Sequence, residues 1–428
     1  MPPPKVSASK QGRSPRAAAG PLSALILAGG AARGSYEVGV IDYILRQLPR
    51  DLEKPPQIDI LCGTSVGAIN ACVLGAYLDD PAQCARFLVD EWTRLRLEEV
   101  VRPIPREFLG LLGAIVGKQR SGGGGEGVRR GGLLDPAGIE GIVARAIPFD
   151  RISRNIDSGI LSGLTLSATH VATGRTFMFV QHSPDLAPTW GRDPTILAVP
   201  TAIRAEHALA SAALPLLFPA VRIDGDFYCD GGLRQNVPLS PARRLGADGL
   251  IVINPRYVLP ASAPTKRRLS YPGPLFLVGK ALNALLLDRI DNDLDRLRRI
   301  NAILDAGTRR YGPGFVEEIN QELRNGGSGG VRPLRAVHIR ASEDIGALAA
   351  DYVRSRAFAK RSSGILARAL RRIGQWQGEG ESDLLSYLLF DGEFAAQLIE
   401  LGRRDAKERH EELCAFFSRP GAAIPVSI

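Results

Sequence analysis

Apolar runs of strand length alternate with segments of helical period over residues 22–78. The run at 22–28 ends in two glycines and is typical of a buried strand. The next segment, 34–48, carries apolar residues at helical spacing, namely Val38, Ile41, Leu45 and Leu48. A second apolar run at 58–62 precedes a small-residue helix at 66–78. This order predicts a three-layer α/β/α fold, in which helices cover both faces of a mostly parallel central sheet.

The pattern continues downstream and changes in composition after residue 256. Apolar runs predict strands at 164–169 and 176–180 joined by a hairpin turn, a single strand at 221–229 and another at 249–254. We therefore predict a catalytic domain at 22–256 with a glycine-rich insertion at about 95–135. Residues 257–428 are predicted to form a mainly helical C-terminal region that packs on this domain, and residues 1–21 a disordered basic tail.

Charge and composition narrow the class of partner. The net charge of +9 favours anionic partners such as phospholipid surfaces or nucleic acid. Aromatic residues make up only 6% of the chain and no basic stretch is interleaved with them, which argues against nucleic acid. We find no run of transmembrane length, no secretory signal and no metal-binding spacing among the five cysteines. We expect a cytoplasmic protein without a transmembrane helix, whose contact with membranes is peripheral.

A G-x-S-x-G sequence occurs twice, and the setting separates the two copies. In GTSVG (63–67), Gly63 and Gly67 flank Ser65 between the apolar strand and the small-residue helix. A sharp strand-to-helix turn of this kind exposes a serine hydroxyl at a helix N-terminus, where developing negative charge is favoured. The other copy, GGSGG around Ser328, has neither a strand before it nor a helix after it. We predict that Ser65 is a nucleophile, with a simple helix N-cap as the alternative.

A glycine-rich loop joins the first strand to the first helix. It consists of Gly29, Gly30, Ala31, Ala32, Arg33 and Gly34. Such loops present main-chain N–H groups to an anion. A dinucleotide site is disfavoured because the G-x-G-x-x-G spacing fails at Ala31, and a phosphate loop because Ser35 replaces its lysine. The helix dipole disfavours a cation at Arg33, so we expect either an anionic headgroup or a buried carboxylate to offset that charge.

A serine nucleophile needs a base, and a carboxylate is a better candidate than any histidine. The five histidines are His170, His182, His207, His338 and His410. None lies in a glycine turn at the end of a strand. Asp230, in contrast, directly follows the predicted strand at 221–229 and precedes Gly231 and Gly232, which allow close backbone approach. Burial would make this carboxylate basic enough to accept the Ser65 proton; an ordinary Asp-Gly turn is the alternative.

The three motifs in this order, GGAARG, GTSVG and DGG, resemble the signature of the patatin-like phospholipase family. GSYEVGV (34–40) and ASAALPLLFPAV (210–221) are similar to runs in bacterial members, and the resemblance covers about 22–256. It implies a patatin-like fold and a serine lipid acyl hydrolase of the phospholipase or lysophospholipase type. Ser65 would be the nucleophile and Asp230 the general base, without metal or cofactor.

The resemblance also implies an oxyanion hole made of the N–H groups of Gly30, Ala31 and Ala32. Ala31 replaces a family glycine, which costs about 1 kcal/mol if the position needs a positive φ. The run at 210–221 is expected to line an acyl pocket. The apolar segments 108–117 and 271–287 are candidates for membrane contact or for ordinary core packing. Two other functions stay open, a histidine-assisted carboxylesterase and a non-catalytic lipid-binding protein on the same fold.

Overall fold

The computed structural model describes residues 20–102, 132–186, 188, 190, 195–233, 239–258, 290–325, 330–362, 365–375 and 379–418. Within these ranges a nine-stranded sheet forms the centre of the molecule. Its strands are β1 (Leu22–Leu27), β2 (Ile60–Thr64), β3 (Gly163–His170), β4 (Thr176–His182), β5 (Ile196–Pro200), β6 (Val221–Ile223), β7 (Asp226–Asp230), β8 (Ala247–Asn254) and β9 (Arg335–Arg340). The segments 108–117 and 271–287 lie outside the described residues, as do residues 326–329 of the second G-x-S-x-G copy and residues 1–19 of the predicted tail.

The sheet is mixed but mostly parallel, in the order β5-β4-β3-β2-β1-β8-β9. β1 runs parallel to β2 on one side and to β8 on the other. Its side chains alternate between two apolar clusters, with Leu25 and Leu27 in one and Ala24 and Ile26 in the other. A strand buried on both faces explains why this segment reads as a continuous apolar run. The predicted three-layer fold with a mostly parallel sheet is confirmed.

Helices cover both faces of this sheet. They are α1 (Gly34–Asp42), α2 (Val66–Tyr77), α3 (Pro81–Arg94), α4 (Leu97–Val100), α5 (Ala137–Ala146), α6 (Phe149–Asp157), α7 (Ala205–Ser211), α8 (Leu239–Arg244), α9 (Ile290–Tyr311), α10 (Phe315–Asn325), α11 (Ile345–Arg354), α12 (Arg356–Arg361), α13 (Ile365–Gln375), α14 (Glu379–Leu388), α15 (Gly392–Glu408) and α16 (His410–Ser418). The larger core cluster includes side chains of α1, α2, α3 and α15, and the smaller one, on the opposite face, includes those of α8 and α9. Within the described ranges, no helix combines the length and the apolarity that crossing a bilayer requires.

The C-terminal part of the chain shares its core with the N-terminal part. β9 pairs in parallel with β8 and so extends the central sheet. α15 crosses α1 closely: a Cβ at Gly39 would lie 2.0 Å from the Ile399 carbonyl oxygen, so glycine allows the two backbones to meet. At the same crossing the Tyr36 hydroxyl donates to Asp405 Oδ2 at 2.8 Å. Because these partners lie far apart in the sequence, no local pattern indicated that they would pair.

The single strand predicted at 221–229 is wrong. This segment is a hairpin of β6 and β7, paired antiparallel with Ile223 opposite Asp226. Its turn contains Asp224 and Gly225, both with positive φ, at 48° and 99°. Glycine and aspartate tolerate this backbone region better than other residues, so the turn interrupts an otherwise apolar run. β7 therefore runs antiparallel to its neighbour β3 and is not one of the parallel strands.

Candidate active site

Ser65 occupies a strained position between β2 and α2. Its backbone has φ 56° and ψ −131°, and the residue is 1% exposed. A non-glycine residue rarely adopts a positive φ, and such strain concentrates at functional positions. The flanking glycines are required by packing, because a Cβ at Gly63 would lie 2.5 Å from the Gly67 carbonyl oxygen and one at Gly67 would lie 2.5 Å from that of Ala28. The predicted strand–turn–helix setting of Ser65 is present.

Strand register brings Asp230 next to Ser65. β4 pairs with one edge of β3 along Gly163–Thr169. On the other edge, β2 pairs as far as Thr64 opposite Ser167. β7 then continues on that edge, with Asp230 opposite Ala168. β2 and β7 thus run toward each other along the same edge, and Ser65 and Asp230 meet where they end.

The Asp230 carboxyl is fully buried and held by backbone contacts. Its Oδ1 accepts a hydrogen bond from the Gly232 N–H at 2.7 Å. Its own N–H donates to the Ala213 carbonyl at 2.9 Å, and its carbonyl accepts from the Thr169 hydroxyl at 2.9 Å. Oδ2 is buried without a partner in full hydrogen-bond geometry. A carboxyl oxygen with an unused lone pair beside a serine can accept a proton from it.

Burial makes this carboxyl a stronger base than an exposed aspartate. It raises the pKa of Asp230 from its ordinary 3.8 to about 7, while interactions with the Ser65 hydroxyl and the Gly232 amide lower the pKa and partly oppose that rise. Contacts between a nucleophile and its base are often long or poorly aligned until substrate binds, which agrees with the unpartnered Oδ2. A pKa near neutrality suits a general base that must be ionised and still bind a proton.

Two serines that sequence reasoning missed support this pair. The Ser65 N–H donates to the Ser211 hydroxyl at 3.0 Å, and that hydroxyl donates to the Ser167 carbonyl at 2.7 Å. The Ser167 hydroxyl in turn lies 2.6 Å from that of Thr64. A Cβ at Gly231 would lie 2.3 Å from the Ser167 carbonyl oxygen, so the DGG turn packs directly on β3. Polar residues at alternate positions of the buried strand LTLSATH were the available signal.

The glycine-rich loop, residues 29–34, is buried and turns directly into α1. Ala31–Arg33 form one turn of 3₁₀ helix. Ala31 has φ 48°, so the position does need a positive φ, and alanine there costs about 1 kcal/mol. Among the described residues, the N–H groups of Gly30, Ala31 and Ala32 donate to no side chain or loop carbonyl. These groups are therefore available to an oxyanion.

The Arg33 side chain points away from solvent into the C-terminal region. The residue is 3% exposed. Its Nε donates to the Ser386 hydroxyl at 2.7 Å, and its Nη2 lies 3.1 Å from Asp383 Oδ1. The guanidinium carbon also lies 4.2 Å from the ring centroid of Tyr387. Of the two explanations for this cation, the buried carboxylate is the correct one, and α14 thereby anchors the loop.

None of the five histidines hydrogen-bonds to Ser65 or Asp230. His170, His182 and His207 bond to Thr173, Ser183 and Arg204, and His410 to Tyr43. Burial lowers the pKa of His207 to about 4 and that of His338 to about 3, so both are neutral at physiological pH. This geometry offers Ser65 a carboxylate and no imidazole.

A narrow apolar cavity lies along α2, the helix that follows Ser65. Its lining starts at Val66, the residue after Ser65, and continues along one face of α2 to Val73. Side chains of α3 and α5 complete it, including Phe87, Leu88, Trp92, Ile139, Ile142 and Val143. No residue of 210–221, the run expected to line an acyl pocket, is among the described lining residues. In this structure that run holds Ser211 and Ala213, which bond to the backbones of Ser65 and Asp230.

Comparison with known proteins found relatives over about half of the chain. A cGAMP-activated phospholipase of Pseudomonas aeruginosa (strain BWHPSA011 / Pa011) is 27% identical over 215 residues, which cover 50% of this chain and 53% of the relative. The uncharacterized protein YjjU of Escherichia coli (strain K12) is 28% identical over 233 residues, 54% of this chain and 51% of that protein. The chain therefore spans about half the length of the curated relatives it matches.

Among solved structures, VipD from Legionella pneumophila aligns with 92% of this chain and 67% of its own, at 12% identity and a TM-score of 0.31. A likeness at that TM-score supports no conclusion about the site. The family model described as patatin-like phospholipase matches residues 25–243, more than half of the chain, and includes all three motifs. This chain therefore belongs to the patatin-like phospholipase family.

Proposed function

We propose that this protein is a serine lipid acyl hydrolase in which Ser65 is the nucleophile and Asp230 the general base. The observation that carries the proposal is the buried pair itself. Ser65 is held in a strained turn, beside a fully buried carboxyl whose pKa is about 7. No histidine bonds to either residue, which favours a dyad over a histidine-assisted carboxylesterase.

The reaction follows from these groups in two halves. The ionised Asp230 accepts the Ser65 hydroxyl proton while Oγ forms a bond to the ester carbonyl carbon. The N–H groups of Gly30, Ala31 and Ala32 bind the resulting oxyanion, since they face no other acceptor among the described residues. Collapse of the tetrahedral intermediate releases the alcohol, which takes the proton from Asp230. Water then loses a proton to Asp230 and attacks the carbonyl carbon of the acyl-enzyme. Collapse of this second tetrahedral intermediate breaks the bond to Ser65 Oγ, which takes the proton back from Asp230, and the fatty acid leaves.

Support for a lipid substrate comes from the apolar cavity along α2, the helix after Ser65, and from the family. The lining of α2, α3 and α5 is almost wholly apolar, as a fatty acyl chain requires. The cavity is narrow, so a long chain would displace the flexible side chains that line it. The relative from Pseudomonas aeruginosa is named a phospholipase, and a net charge of +9 favours anionic phospholipid surfaces. We therefore propose phospholipids or lysophospholipids as the substrate class.

Covalent labelling tests the nucleophile. A fluorophosphonate probe is expected to label the wild type and Ser328→Ala equally, and Ser65→Ala not at all. Ser328→Ala is the matched control because it lies in the other G-x-S-x-G sequence. Labelling of Ser65→Ala at the wild-type level would contradict the assignment of Ser65. Absence of labelling in the wild type would favour the non-catalytic lipid-binding alternative.

A lipid panel then tests the substrate class and the base. Fatty acid release is expected from phospholipid or lysophospholipid vesicles, and Asp230→Asn is expected to slow it by about 10²–10⁴-fold. Substantial activity of Asp230→Asn would support the histidine-assisted alternative. Hydrolysis restricted to short, water-soluble esters would contradict a lipid substrate while leaving the nucleophile unchanged.

A further inference from the structure

An arginine-lined groove lies on the face of the sheet opposite α2, where α8 meets α9. It has a volume of about 370 Å³. Three guanidinium groups line it, those of Arg243 and Arg244 on α8 and Arg296 on α9. The remaining lining is largely apolar and consists of Ile196, Leu239, Leu250, Leu297, Ile300 and Leu334, with Ser240 and Asp293. The groove thus combines concentrated positive charge with apolar walls.

Positive charge is in excess in this groove, because its described lining includes three arginines and one carboxylate, that of Asp293. Among the described residues, neither Arg243 nor Arg296 makes an ion pair, and Arg244 donates only to the Ser240 hydroxyl, at 3.0 Å. Arg332 lies close by but already pairs with Asp248 at 3.3 Å. Burial lowers the pKa of Arg243, and the charges of Arg244, Arg296 and Arg332 lower it further. This mutual repulsion would be relieved by an anion between the arginines.

Unpaired arginines on an open convex surface are ordinary, because water screens them. Here they line a concavity with apolar walls, which focuses the field of the three charges. Four of the wall residues belong to the core cluster on this face of the sheet, namely Leu239, Leu250, Leu297 and Leu334. In contrast, α2, which directly follows Ser65, packs in the cluster on the other face. The groove is therefore separate from the Ser65–Asp230 pair. Trp190, 5.9 Å from the Arg244 guanidinium, adds an aromatic surface at its rim.

We propose that this groove is a second ligand site, which binds an organic phosphate. The guanidinium groups of Arg243, Arg244 and Arg296 contact the phosphate oxygens, for which their planar donor geometry is suited. The apolar walls contact the carbon part of the same ligand. The phosphate can belong to a free nucleotide or to a lipid headgroup, since the two present the same anionic oxygens. This site is independent of the proposed hydrolase activity.

Binding measurements on the full chain test this site. Isothermal titration with adenosine diphosphate measures a free phosphate ligand, and co-sedimentation compares vesicles of phosphatidylglycerol with vesicles of phosphatidylcholine. Arg243→Ala and Arg296→Ala are each expected to raise the Kd at least about tenfold for the ligand that binds, because each removes a charge-assisted contact. Arg299→Ala is the matched control, because Arg299 is exposed on the same helix but does not line the groove. Ser65→Ala is expected to bind as the wild type does.

The titration and the co-sedimentation assay together distinguish the two sources of the phosphate. Saturable binding of adenosine diphosphate, weakened by the two groove variants only, supports a soluble ligand. Selective binding to phosphatidylglycerol vesicles, weakened by the same two variants only, supports a lipid headgroup. The proposal is overturned if neither probe binds, or if Arg299→Ala weakens binding as much as Arg243→Ala, which would indicate general surface charge.

Discussion

Replacing Asp230 by asparagine is expected to lower the activity of this protein and to change its stability in a different, pH-dependent way. The substitution keeps the shape of the side chain and an oxygen that can accept the Gly232 N–H, but it removes the proton-accepting carboxylate. We expect kcat to fall by about 10²–10⁴-fold, the usual contribution of a general base. In the wild type, kcat/KM is expected to rise with pH through about 7, because only the ionised carboxyl can accept the Ser65 proton.

The effect on stability follows from the burial of the same carboxyl. Its pKa is about 7 in the folded protein against an ordinary 3.8 when exposed, a difference equivalent to about 4 kcal/mol. The folded-state pKa is the higher one, so the stability associated with the protonated carboxyl is fully present below about pH 3.8 and is lost as pH rises through about 7. Between about pH 5 and about pH 8 the calculated loss is about 2–3 kcal/mol.

Asparagine does not titrate, so the variant escapes this loss. The unfolding free energy of Asp230→Asn relative to wild type is therefore expected to increase by about 2–3 kcal/mol from about pH 5 to about pH 8. Urea titration monitored by tryptophan fluorescence at several pH values measures this difference. Its absolute value also depends on how well the new amide is hydrogen-bonded, whereas its pH dependence does not. Asp157→Asn, at an exposed position on α6, is the control for an unburied aspartate.

Two results would refute this reasoning. A stability difference that does not change with pH would mean that the Asp230 carboxyl is not desolvated in the folded protein. Retention of activity in Asp230→Asn, with the stability effect as expected, would mean that the buried carboxyl is not the base. The two measurements fail independently, because one reports desolvation and the other proton transfer.

Three other substitutions test the surroundings of the pair. Ala31→Gly is expected to raise stability by about 0.5–1 kcal/mol, since glycine relieves the positive φ; a lower melting temperature would contradict this strain. Ser211→Ala should destabilise by about 1–3 kcal/mol and lower kcat more than it raises KM, because it unpairs the Ser65 N–H; unchanged kinetics would limit Ser211 to a structural role. Arg33→Met should destabilise by about 3–5 kcal/mol because it removes the cation that pairs with the buried Asp383 carboxylate. Urea titration of the double variant Arg33→Met with Asp383→Leu should show recovery; equal loss in both would exclude this cause.

Local features of the candidate site were predictable because neighbouring residues specify them. The run 22–28 and the segment 34–48 show the strand and helical periods directly. The first became β1, and the second became α1 followed by one π-helical turn at Tyr43–Gln47. The setting of Ser65 between a strand and a helix follows from the same local patterns and from its two flanking glycines. Asp230 could be predicted as the base because it ends an apolar run and is followed by two glycines.

Other features required the tertiary structure. The direction of β7 depends on which strand it pairs with, and an apolar run of that length does not encode a partner. The Arg33–Asp383 pair joins residues 350 positions apart, so no local pattern could choose between a headgroup and a carboxylate. No local pattern distinguishes Ser167 and Ser211 from other small residues. Only the folded chain shows the hydrogen bonds that link both of them to the Ser65 N–H.

The sequence by itself determined that Ser65 and Asp230 stand at the ends of apolar runs, because periodicity and turn residues act over a few positions. Only the folded chain determined how basic Asp230 is. The pKa of this carboxyl depends on the exclusion of water by β3, by the turn at Ser65 and by the run 210–221. The same holds for the groove at Arg243 and Arg296, whose charges lie more than 50 positions apart and repel one another only once α8 and α9 pack together. Desolvation and charge repulsion are properties of proximity in space, which the order of residues does not show.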